Sequence, residues 1–503
     1  MTTKQKYDGT STSVALARVV SSFCILFFLA CHDTGLTRRE EIPGVGLPDD
    51  LFSISAPSKS HVVVSGYWGA IYVSTDGGSN WKRGETGTRR LIYDVSMADE
   101  QRGFACGQRG LLLRTDDGGL SWRKISTPKD SDNVHFFSVH AVDPEKVWVV
   151  GEWGTRIYSS DGGETFVDDS LVIGPSHPQF VWLSVDDQER IRAGEPVFED
   201  LGLTDVWCLR KESERCWIAG EFGTVYSSST GGVKGSSGEP GWVLGKIVSD
   251  EKPAPINFSE NGSDIEEGQR TSLETFARSM VDTPHLNVAI QPRLSRREIL
   301  KMDEDYDPYP LFELADERGR AVQYALEAVG LLSDRVRQRG GPPWDYDEFL
   351  EDDPDMLSNW IESRRSDSPR VDLEVVQSPH LFAVRFSDPL NGVVSALGGV
   401  VLRSIDGGVT WRYSDVGRKG AIFSAYPVSS RKIVAVGEKG LIRISEDGGT
   451  SWVRQEKGFP KVFTFFRDMT FVGSTGFLVG QGGTILRTTD SGESWSHLLP
   501  GRE

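Results

Sequence analysis

The chain has 503 residues, 55 of them basic and 73 acidic, and its formal net charge at pH 7 is -18. This charge disfavours nucleic acid and anionic lipid as partners, because both require concentrated positive charge on the protein. Five cysteines do not make a disulfide-built scaffold in a chain of this length. The composition therefore predicts a globular protein with one large core and no role in binding nucleic acid.

The N-terminal segment has the pattern of an export signal. Basic residues precede an apolar run over residues 19–30, which is too short for a comfortable membrane span. The run ends in Ala30-Cys31, and this ending resembles a bacterial lipoprotein signal, which implies that Cys31 carries the lipid. We therefore expect residues 1–31 to be a signal and residues 32–50 a tether, with the protein exported and lipid-anchored in the cell envelope. An ordinary cleaved signal and a single uncleaved anchor are the alternatives.

A short cassette with the pattern Ser/Thr-x-Asp-x-Gly-x-x-aromatic recurs along the rest of the chain. In such a turn the aspartate accepts backbone N–H groups and the glycine permits a positive φ. One damaged copy near Ser227 has lost its aspartate, so we expect the loosest turn there. Recurrence of one small β unit predicts a stacked or closed array. The structural aspartates of the six intact copies are Asp76, Asp117, Asp161, Asp406, Asp447 and Asp490.

Two apolar runs and a glycine-flanked turn precede each cassette. In five repeats an aromatic residue stands fourteen residues before the start of the turn, as Phe52 stands before Gly66 and Tyr93 before Gly107. The runs have the length and composition of strands a and b, strand c follows the turn, and the aromatic of the cassette begins strand d. We expect the two central residues of each turn to vary freely and to form a recognition rim on one face. This candidate binding set comprises Tyr67, Trp68, Gln108, Arg109, Glu152, Trp153, Glu221, Phe222, Glu438 and Lys439.

The cassette resembles the Asp-box, or bacterial neuraminidase repeat. With the glycine-flanked turn and strand a in phase, the repeats resemble the photosystem II assembly and stability factor family, whose fold is a seven-bladed β-propeller. The resemblance covers about residues 51–232 and 381–496. It implies an all-β fold, a seven-bladed β-propeller, with blades one to four in residues 51–248 and blades five to seven in residues 376–503.

Between these two sets of blades, residues 249–375 change their periodicity. Apolar residues spaced by three and four at 272–281 and 311–339 predict helices, 350–362 is a further helical candidate, and 249–269 has the composition of a linker. We therefore expect an α-helical insertion between blades four and five. Loops from strand d to the next strand a emerge on the turn face, so the insertion is expected to lie there as a partial lid. Packing to the side is the alternative.

Three aspartates, Asp94, Asp205 and Asp468, recur near the start of strand a, close to the expected central channel. Paired carboxylates in such a place suit glycoside hydrolysis. The other interpretation is hydrogen bonding between inner strands, since other repeats have serine at this position. Sialidases, which share the Asp-box, also need an arginine cluster and a Tyr/Glu nucleophile pair, and no motif of that kind precedes the first repeat. The sequence shows no zinc spacing and no phosphate-binding glycine loop, so no metal and no cofactor are predicted.

Three cysteines lie within the repeats. Cys106 occupies a strand b position where other repeats have small or medium side chains, so we interpret it as a small buried side chain. Cys208 and Cys216 fall on neighbouring strands a and b of the fourth repeat. They are placed for a cross-strand disulfide in an oxidising compartment, with two free buried thiols as the default expectation.

These observations predict a non-catalytic binding or assembly protein of the cell envelope. It recognises a protein partner, or a glycan, through the turn face of the propeller. The alternative from another class is a glycoside hydrolase, either sialidase-like or acting on polysaccharide. A deep pocket with two carboxylates about 5 to 10 Å apart favours the hydrolase, and a broad rim of turn residues favours recognition.

Overall fold

The computed structural model describes most of the chain from residue 47 onward. The predicted signal at 1–31, Cys31 and nearly all of the 32–50 tether lie outside the described residues, as does most of the helical candidate at 350–362. The described residues are 47–129, 133–175, 185–210, 212–233, 241–248, 253–281, 286–305, 309–338, 360–377, 379–455, 458–460 and 464–498.

Seven antiparallel sheets, each with strands in the order a-b-c-d, carry the repeats in the described part of the chain. Strand a runs over Leu51–Ser55, Ile92–Met97, Phe136–Ala141, Leu203–Leu209, Leu381–Phe386, Ile422–Pro427 and Phe466–Val472. Strand b runs over Val62–Gly66, Gly103–Gly107, Val147–Gly151, Glu212–Gly220, Gly392–Ala396, Ile433–Gly437 and Thr475–Gly480. Strand c runs over Ile71–Ser74, Leu111–Thr115, Arg156–Ser159, Val225–Ser228, Val400–Ser404, Ile442–Ser445 and Thr484–Thr488. Strand d runs over Lys82–Arg83, Arg123–Lys124, Val167–Asp168, Val243–Leu244, Thr410–Asp415, Val453–Arg454 and Ser496–His497.

The sheets form a closed ring. Strand a of each blade contacts strand a of the next, and strand a of blade one contacts that of blade seven. The inner strands therefore surround a central axis, which places the b–c turns on one face of the ring and the cassettes on the other. The all-β propeller fold predicted from the repeats is confirmed.

The cassette aromatics fill the interfaces between blades. Trp122 of blade two is buried against Val63 of blade one, and Trp411 of blade five is buried against Trp217 of blade four. Burial of one such indole stabilises the ring by about 2 to 4 kcal/mol. The indole N–H of Trp122 also donates to the carbonyl of Gly119 in its own cassette, at 2.8 Å. Each cassette thus fastens its own turn and one blade interface.

The six intact cassettes share one hydrogen-bond pattern, which Asp161 illustrates. Its carboxylate accepts the hydroxyl of Ser159 at 2.8 Å and the backbone N–H of Thr165 at 2.9 Å. The hydroxyl of Ser159 also accepts the N–H of Gly163 at 2.8 Å. These bonds lower the pKa of Asp161 to about 2, with the Thr165 hydroxyl as the largest cause.

Blade five has a fifth strand that the sequence did not predict. Lys246–Val248, which follows strand d of blade four, pairs in parallel with strand d of blade five. Gly245 permits this approach, since a β-carbon there would lie 2.5 Å from the carbonyl oxygen of Gly408. The chain therefore covers the outer edge of blade five before it enters the insertion.

The insertion contains the predicted helices and, in addition, a sheet. Its described helices are α2 (Glu267–Val281), α3 (Arg296–Asp305) and α4 (Tyr309–Glu327), and α1 (Val185–Arg192) lies in the earlier loop between blades three and four. Its strands pair in the order Ile256–Asn257, Arg370–Gln377, Leu286–Ser295 and Val336–Gln338, and Arg365–Ser366 pairs with the end of Leu286–Ser295. The predicted 249–269 linker therefore includes a short strand and the first turn of α2.

The helix predicted over 311–339 is wrong in its C-terminal part. α4 ends at Glu327, Gly330 follows with a φ of 99°, and Val336 pairs with Val288 in the sheet. An apolar residue that continues the helical spacing can also belong to a short strand, so periodicity alone did not separate the two. Val336 is buried in the core that α2 and α4 form with the sheet.

A capping box and a buried ion pair fix α3 and α4. The hydroxyl of Ser295 accepts the N–H of Glu298 at 3.2 Å, and the carboxylate of Glu298 accepts the N–H of Ser295 at 2.8 Å. The same carboxylate accepts a hydrogen bond from Arg318 of α4 at 2.6 Å, and neither side chain is exposed. Arg318 also donates to the carbonyl oxygens of Ser259 and Gly262, so its charge is fully used within the insertion.

Cys208 and Cys216 are opposite one another on strands a and b of blade four, and a disulfide joins them. The default expectation of two free thiols was therefore wrong, because the register places the two residues directly across the hairpin. Cys106 is a free, buried thiol, as its strand position indicated. None of the described helices combines the length and the apolar character needed to cross a bilayer.

Candidate functional site at the centre of the turn face

An irregularity at the start of strand a builds the centre of the turn face. In every blade the register of strand a against strand b shifts there, for instance between Leu51 and Ser53 in blade one and between Ile92 and Asp94 in blade two. Such a bulge brings two consecutive side chains to the same side of the strand. In six blades both residues line one cavity of about 310 Å³ on the axis. We call this cavity the funnel.

In five blades the first residue of the pair is aromatic, and blade four has Thr204 there. The five aromatics form a collar at the funnel, defined as Phe52, Tyr93, Phe137, Phe382 and Phe423. Neighbouring rings meet edge to face, with centroids 5.7 Å apart for Tyr93 and Phe137 and 5.1 Å apart for Phe382 and Phe423. Blade seven contributes Arg467, whose guanidinium lies 4.7 Å from the Phe423 centroid and 5.6 Å from that of Phe52. In the sequence these aromatics served only to set the phase of strand a, through their spacing of fourteen residues from the turn.

The second residue of the pair is serine or aspartate in six blades and Ala383 in blade five, and the polar ones form a layer beneath the collar. Asp94 of blade two accepts hydroxyl hydrogen bonds from Ser53 of blade one at 2.5 Å and from Ser138 of blade three at 2.8 Å. It also accepts the N–H of Val139 at 2.9 Å. One carboxylate therefore connects the inner strands of three blades.

Asp205 and Asp468 continue this layer around the ring, with Arg385 between them. Asp205 accepts the Val384 N–H at 2.7 Å and a guanidinium N–H of Arg385. It also lies 2.9 Å from the Ser138 hydroxyl, whose single proton is shared between Asp94 and Asp205. The carboxylate of Asp468 lies 3.8 Å from the guanidinium of Arg385, and it accepts the N–H of Ile54 in blade one at 3.2 Å. Arg385 was not predicted from the sequence, because it belongs to one blade only and does not recur in the repeats.

Burial raises the pKa of all three aspartates, that of Asp205 to about 6, and Arg385 opposes this shift at Asp205 and Asp468. The three neighbouring carboxylates raise the pKa of Arg385 in turn. Each carboxylate is held by hydrogen bonds between blades. The geometry therefore favours the interpretation that these aspartates join inner strands over one in which they act as acid and base in hydrolysis.

The first central residue of the b–c turn is tied to its own blade. The side chains of Gln108, Glu152 and Glu221 accept backbone N–H groups just before strand a, at 3.2, 2.8 and 2.8 Å. Tyr67 at the same position packs against Phe52, with centroids 4.9 Å apart, and Glu438 lies near Gly420 just before its own strand a. The residue type at this position varies among the repeats, and in blades two, three and four its side chain fastens the turn to the inner strand.

The second central residue has the opposite character. Trp68, Arg109, Trp153, Phe222 and Lys439 all have left-handed backbone conformations, with φ between 54° and 58°. Blades five and seven have Gly398 and Gly482 there. The aromatic rings are exposed, 66% for Trp68, 50% for Trp153 and 45% for Phe222. A bulky residue in this conformation is strained by about 1 kcal/mol, so the position carries large side chains despite a structural cost.

Carboxylates line the funnel on the side of blades three and four. Glu152 and Glu221 are joined there by Asp200, which ends the long loop before strand a of blade four. Asp200 as a whole is accessible to solvent. At the funnel its carboxylate is partly desolvated, and this desolvation together with the charge of Glu152 raises its pKa. We call Glu152, Asp200 and Glu221 the acidic wall. Sequence reasoning missed Asp200, since it lies outside the repeat.

The long loop before blade four and the segment that follows the insertion both reach the turn face. Pro379, just after the insertion, accepts the N–H of Gly223 in the b–c turn of blade four at 2.8 Å, and His380 lines the funnel. Burial lowers the pKa of His380 to about 4. The placement of the helices over this face stays a prediction. No group of three or more histidine, cysteine or acidic side chains within the described ranges is arranged to hold a metal ion.

Comparisons with known proteins agree with the repeats. Residues 79–172 and 425–502 match the model of a family described as Photosynthesis system II assembly factor YCF48. The photosystem II assembly lipoprotein Ycf48 of Synechococcus sp. (strain CC9902) is 27% identical over 209 residues, which are 38% of this chain and 60% of that protein. The photosystem II stability/assembly factor HCF136 of Arabidopsis thaliana is 26% identical over 120 residues, 23% of this chain and 27% of that one.

Among solved structures, one titled YCF48 bound to D1 peptide aligns with 90% of this chain and 99% of its own, at 13% identity and a TM-score of 0.47. The match to the Synechococcus protein spans less than two thirds of that relative's length. The two ranges that the family model matches contain the cassettes of Asp117, Asp161, Asp447 and Asp490 and four of the seven b–c turns. The resemblance predicted from the repeats is therefore confirmed, and this chain carries a photosystem II assembly factor-like propeller.

Proposed function

We propose that this protein is a non-catalytic assembly factor that binds a protein partner with the turn face of its propeller. The carrying observation is the rim of blades one to four, where Trp68, Arg109, Trp153 and Phe222 occupy equivalent turn positions in a row. Aromatic residues and arginine are the side chains enriched at the centres of protein interfaces. An exposed aromatic held in a strained backbone has no value for folding, so its value lies in contact with a partner.

The names of the relatives support the same class of function. The Synechococcus and Arabidopsis proteins are named as an assembly lipoprotein and a stability/assembly factor, and neither name describes an enzyme. A protein partner rather than a glycan follows from that class. The hydrogen bonds that hold Asp94, Asp205 and Asp468 between blades give the hydrolase alternative no free pair of carboxylates in the polar layer.

We further propose that the protein is exported and lipid-anchored through Cys31. The support is the Ala30-Cys31 ending of the apolar run together with the word lipoprotein in the names of the Synechococcus, Prochlorococcus and Synechocystis relatives. An anchor at the N-terminus leaves the propeller beside the membrane, where a membrane-protein partner is within reach.

The experiment that tests the binding face uses two matched triple variants in co-purification after mild crosslinking of membranes. Trp68→Ala, Trp153→Ala and Phe222→Ala remove the rim aromatics and are expected to abolish capture of the partner. Leu390→Ala, Ile405→Ala and Val409→Ala remove three comparably exposed apolar side chains from the cassette face and are expected to leave it unchanged. Equal capture by both triple variants contradicts the proposed face.

A further inference from the structure

The funnel has a strongly negative lining for a cavity walled by aromatic rings. Two guanidinium groups line it, Arg385 and Arg467, and Arg385 is committed to Asp205 and Asp468 beneath the collar. Against them stand six carboxyl groups, those of Asp94, Glu152, Asp200, Asp205, Glu221 and Asp468. A concave, negatively charged surface focuses its field into the cavity and attracts positive ligands.

Part of that charge lies in the acidic wall, where the side chain of Asp200 is exposed. Asp200 and Glu152 are close enough for the charge of Glu152 to raise the pKa of Asp200. Two imidazoles lie beside the wall: His135 Nδ1 lies 3.0 Å from Glu152, and His380 Nδ1 lies 3.9 Å from Glu221. His380 is neutral at pH 7, since burial lowers its pKa to about 4.

The aromatic collar already holds one cation of the protein itself. Arg467 places its guanidinium against the rings of Phe52, Phe423 and Phe465 on the blade seven side. On the opposite side, Tyr93, Phe137 and Trp153 line the funnel together with the acidic wall, and the rings of Tyr93 and Phe137 meet edge to face. Cations are attracted to aromatic faces, and the attraction grows when carboxylates stand beside them.

We propose that this side of the funnel binds an arginine side chain of the partner protein. A guanidinium stacks on aromatic rings and donates two parallel hydrogen bonds to one carboxylate. An ammonium does neither equally well. A volume of about 310 Å³ lies at the small end of ligand cavities, which suits one long side chain rather than a folded element. The inference rests on the proposed function and names the chemistry at the centre of the same face.

The test uses the intact protein and three end-blocked pentapeptides whose central residue is arginine, citrulline or lysine, flanked by glycines. Citrulline has the shape of arginine without its charge. Binding is followed by nuclear magnetic resonance titration of each peptide with the protein. We expect the arginine peptide to bind about tenfold more tightly than the citrulline peptide, with lysine between them.

Variants assign the site. Asp200→Asn is expected to weaken the arginine peptide about threefold or more and to leave the citrulline peptide unchanged, because the side chain is exposed and its replacement keeps the shape. Phe137→Leu is expected to weaken both peptides. Glu100→Gln, at an exposed position on the cassette face, serves as the matched control and is expected to change neither.

Equal affinity for arginine and citrulline contradicts the proposal, as does an unchanged arginine affinity in Asp200→Asn. Absence of measurable binding at millimolar peptide also contradicts it. These results can be distinguished from a failure of the proposed function. If the rim variant loses the partner while no peptide shows a charge preference, the binding face is supported and the arginine pocket is contradicted.

Discussion

Arg385 of blade five donates a hydrogen bond to Asp205 of blade four at the bottom of the funnel, and both side chains are nearly buried. The same carboxylate also holds the backbone N–H of Val384 at 2.7 Å. The pair therefore joins the inner strands of the two blades that flank the insertion. At the outer edge of the same junction, Lys246–Val248 pairs with strand d of blade five.

Removal of the arginine should be strongly destabilising. We expect Arg385→Met to lower the free energy of unfolding by about 3 to 5 kcal/mol, because Asp205 is left charged and buried without its partner. Arg412→Met, at an exposed position of the same blade, is the control and is expected to change stability by less than about 0.5 kcal/mol. Urea denaturation of the purified proteins measures both, and equal midpoints would contradict the assigned role.

The cassette aspartates should make the protein sensitive to acid. Hydrogen bonds lower the pKa of Asp161 to about 2, and the pKa of Asp490 also falls to about 2, so both are depressed from the ordinary value near 3.8. A depressed folded-state pKa contributes stability that is present above the unfolded value and is lost as pH falls through the folded one.

We therefore expect the denaturation midpoint to fall between pH 4 and pH 2. In Asp161→Asn and Asp490→Asn the part of that fall due to each residue should disappear, because asparagine does not titrate. The measurement is a series of urea midpoints from pH 6 to pH 2, compared between the variants and the parent. Parallel curves for parent and variants would refute the contribution of the cassettes.

The left-handed conformation of Trp68 allows the effect of the rim on stability to be measured separately from its effect on partner binding. Trp68→Ala and Trp68→Gly both remove the ring, but only glycine relieves the strained backbone, whose φ is 58°. We expect the glycine variant to be more stable than the alanine variant by about 1 kcal/mol, and both to lose partner capture to the same degree. Thermal unfolding and co-purification check the two parts, and an alanine variant as stable as the glycine one argues against strain.

The disulfide of blade four should be present and resistant to reduction. Peptide mapping without reductant is expected to recover Cys208 and Cys216 in one linked fragment, with Cys106 unlinked. The bond closes a short loop, so we expect Cys208→Ser with Cys216→Ser to cost about 2 kcal/mol. Because both cysteines are fully buried, mild reductant should act on the folded protein slowly. Recovery of two separate alkylated thiols from the native protein would show the pair to be free.

Membrane attachment depends on one cysteine in the proposed function. Cys31→Ser is expected to move the protein from the membrane fraction to the soluble fraction of bacterial cells, since the acyl chains supply the anchor. Cys24→Ser, in the middle of the apolar run, is the matched control and should stay with the membrane. Immunoblots of the fractions decide the outcome, and membrane retention of Cys31→Ser would overturn the lipid anchor.

The repeats made the architecture predictable. Residues that depart from the repeat were not predicted correctly. The fourteen-residue phase placed strand a of five repeats close to where the structure has it, because these copies carry the same turn chemistry. Val336 was misassigned, since an apolar residue at helical spacing also fits a short strand. Arg385 and Asp200 were missed because each occurs once, and their importance comes from neighbours distant in sequence.

The turn residues show a second limit. The two central turn positions, occupied by Glu152 and Trp153 in blade three, both vary among the repeats. The side chain of Glu152 fastens the turn, whereas Trp153 is exposed on a left-handed backbone. That difference depends on the direction of each side chain relative to the ring axis, which spacing alone does not contain. The aromatic collar was visible as a spacing, but its meeting at one cavity required the closed ring.

The claim that the turn face binds the partner is tested most directly by photocrosslinking from the two faces of the ring. A photoreactive phenylalanine analogue replaces Arg109 on the rim in one protein and the exposed Glu446 on the cassette face in another. The account predicts one dominant crosslinked protein from position 109 and none from position 446 in the same membranes. Crosslinking of the same partner from position 446, with none from position 109, would contradict it.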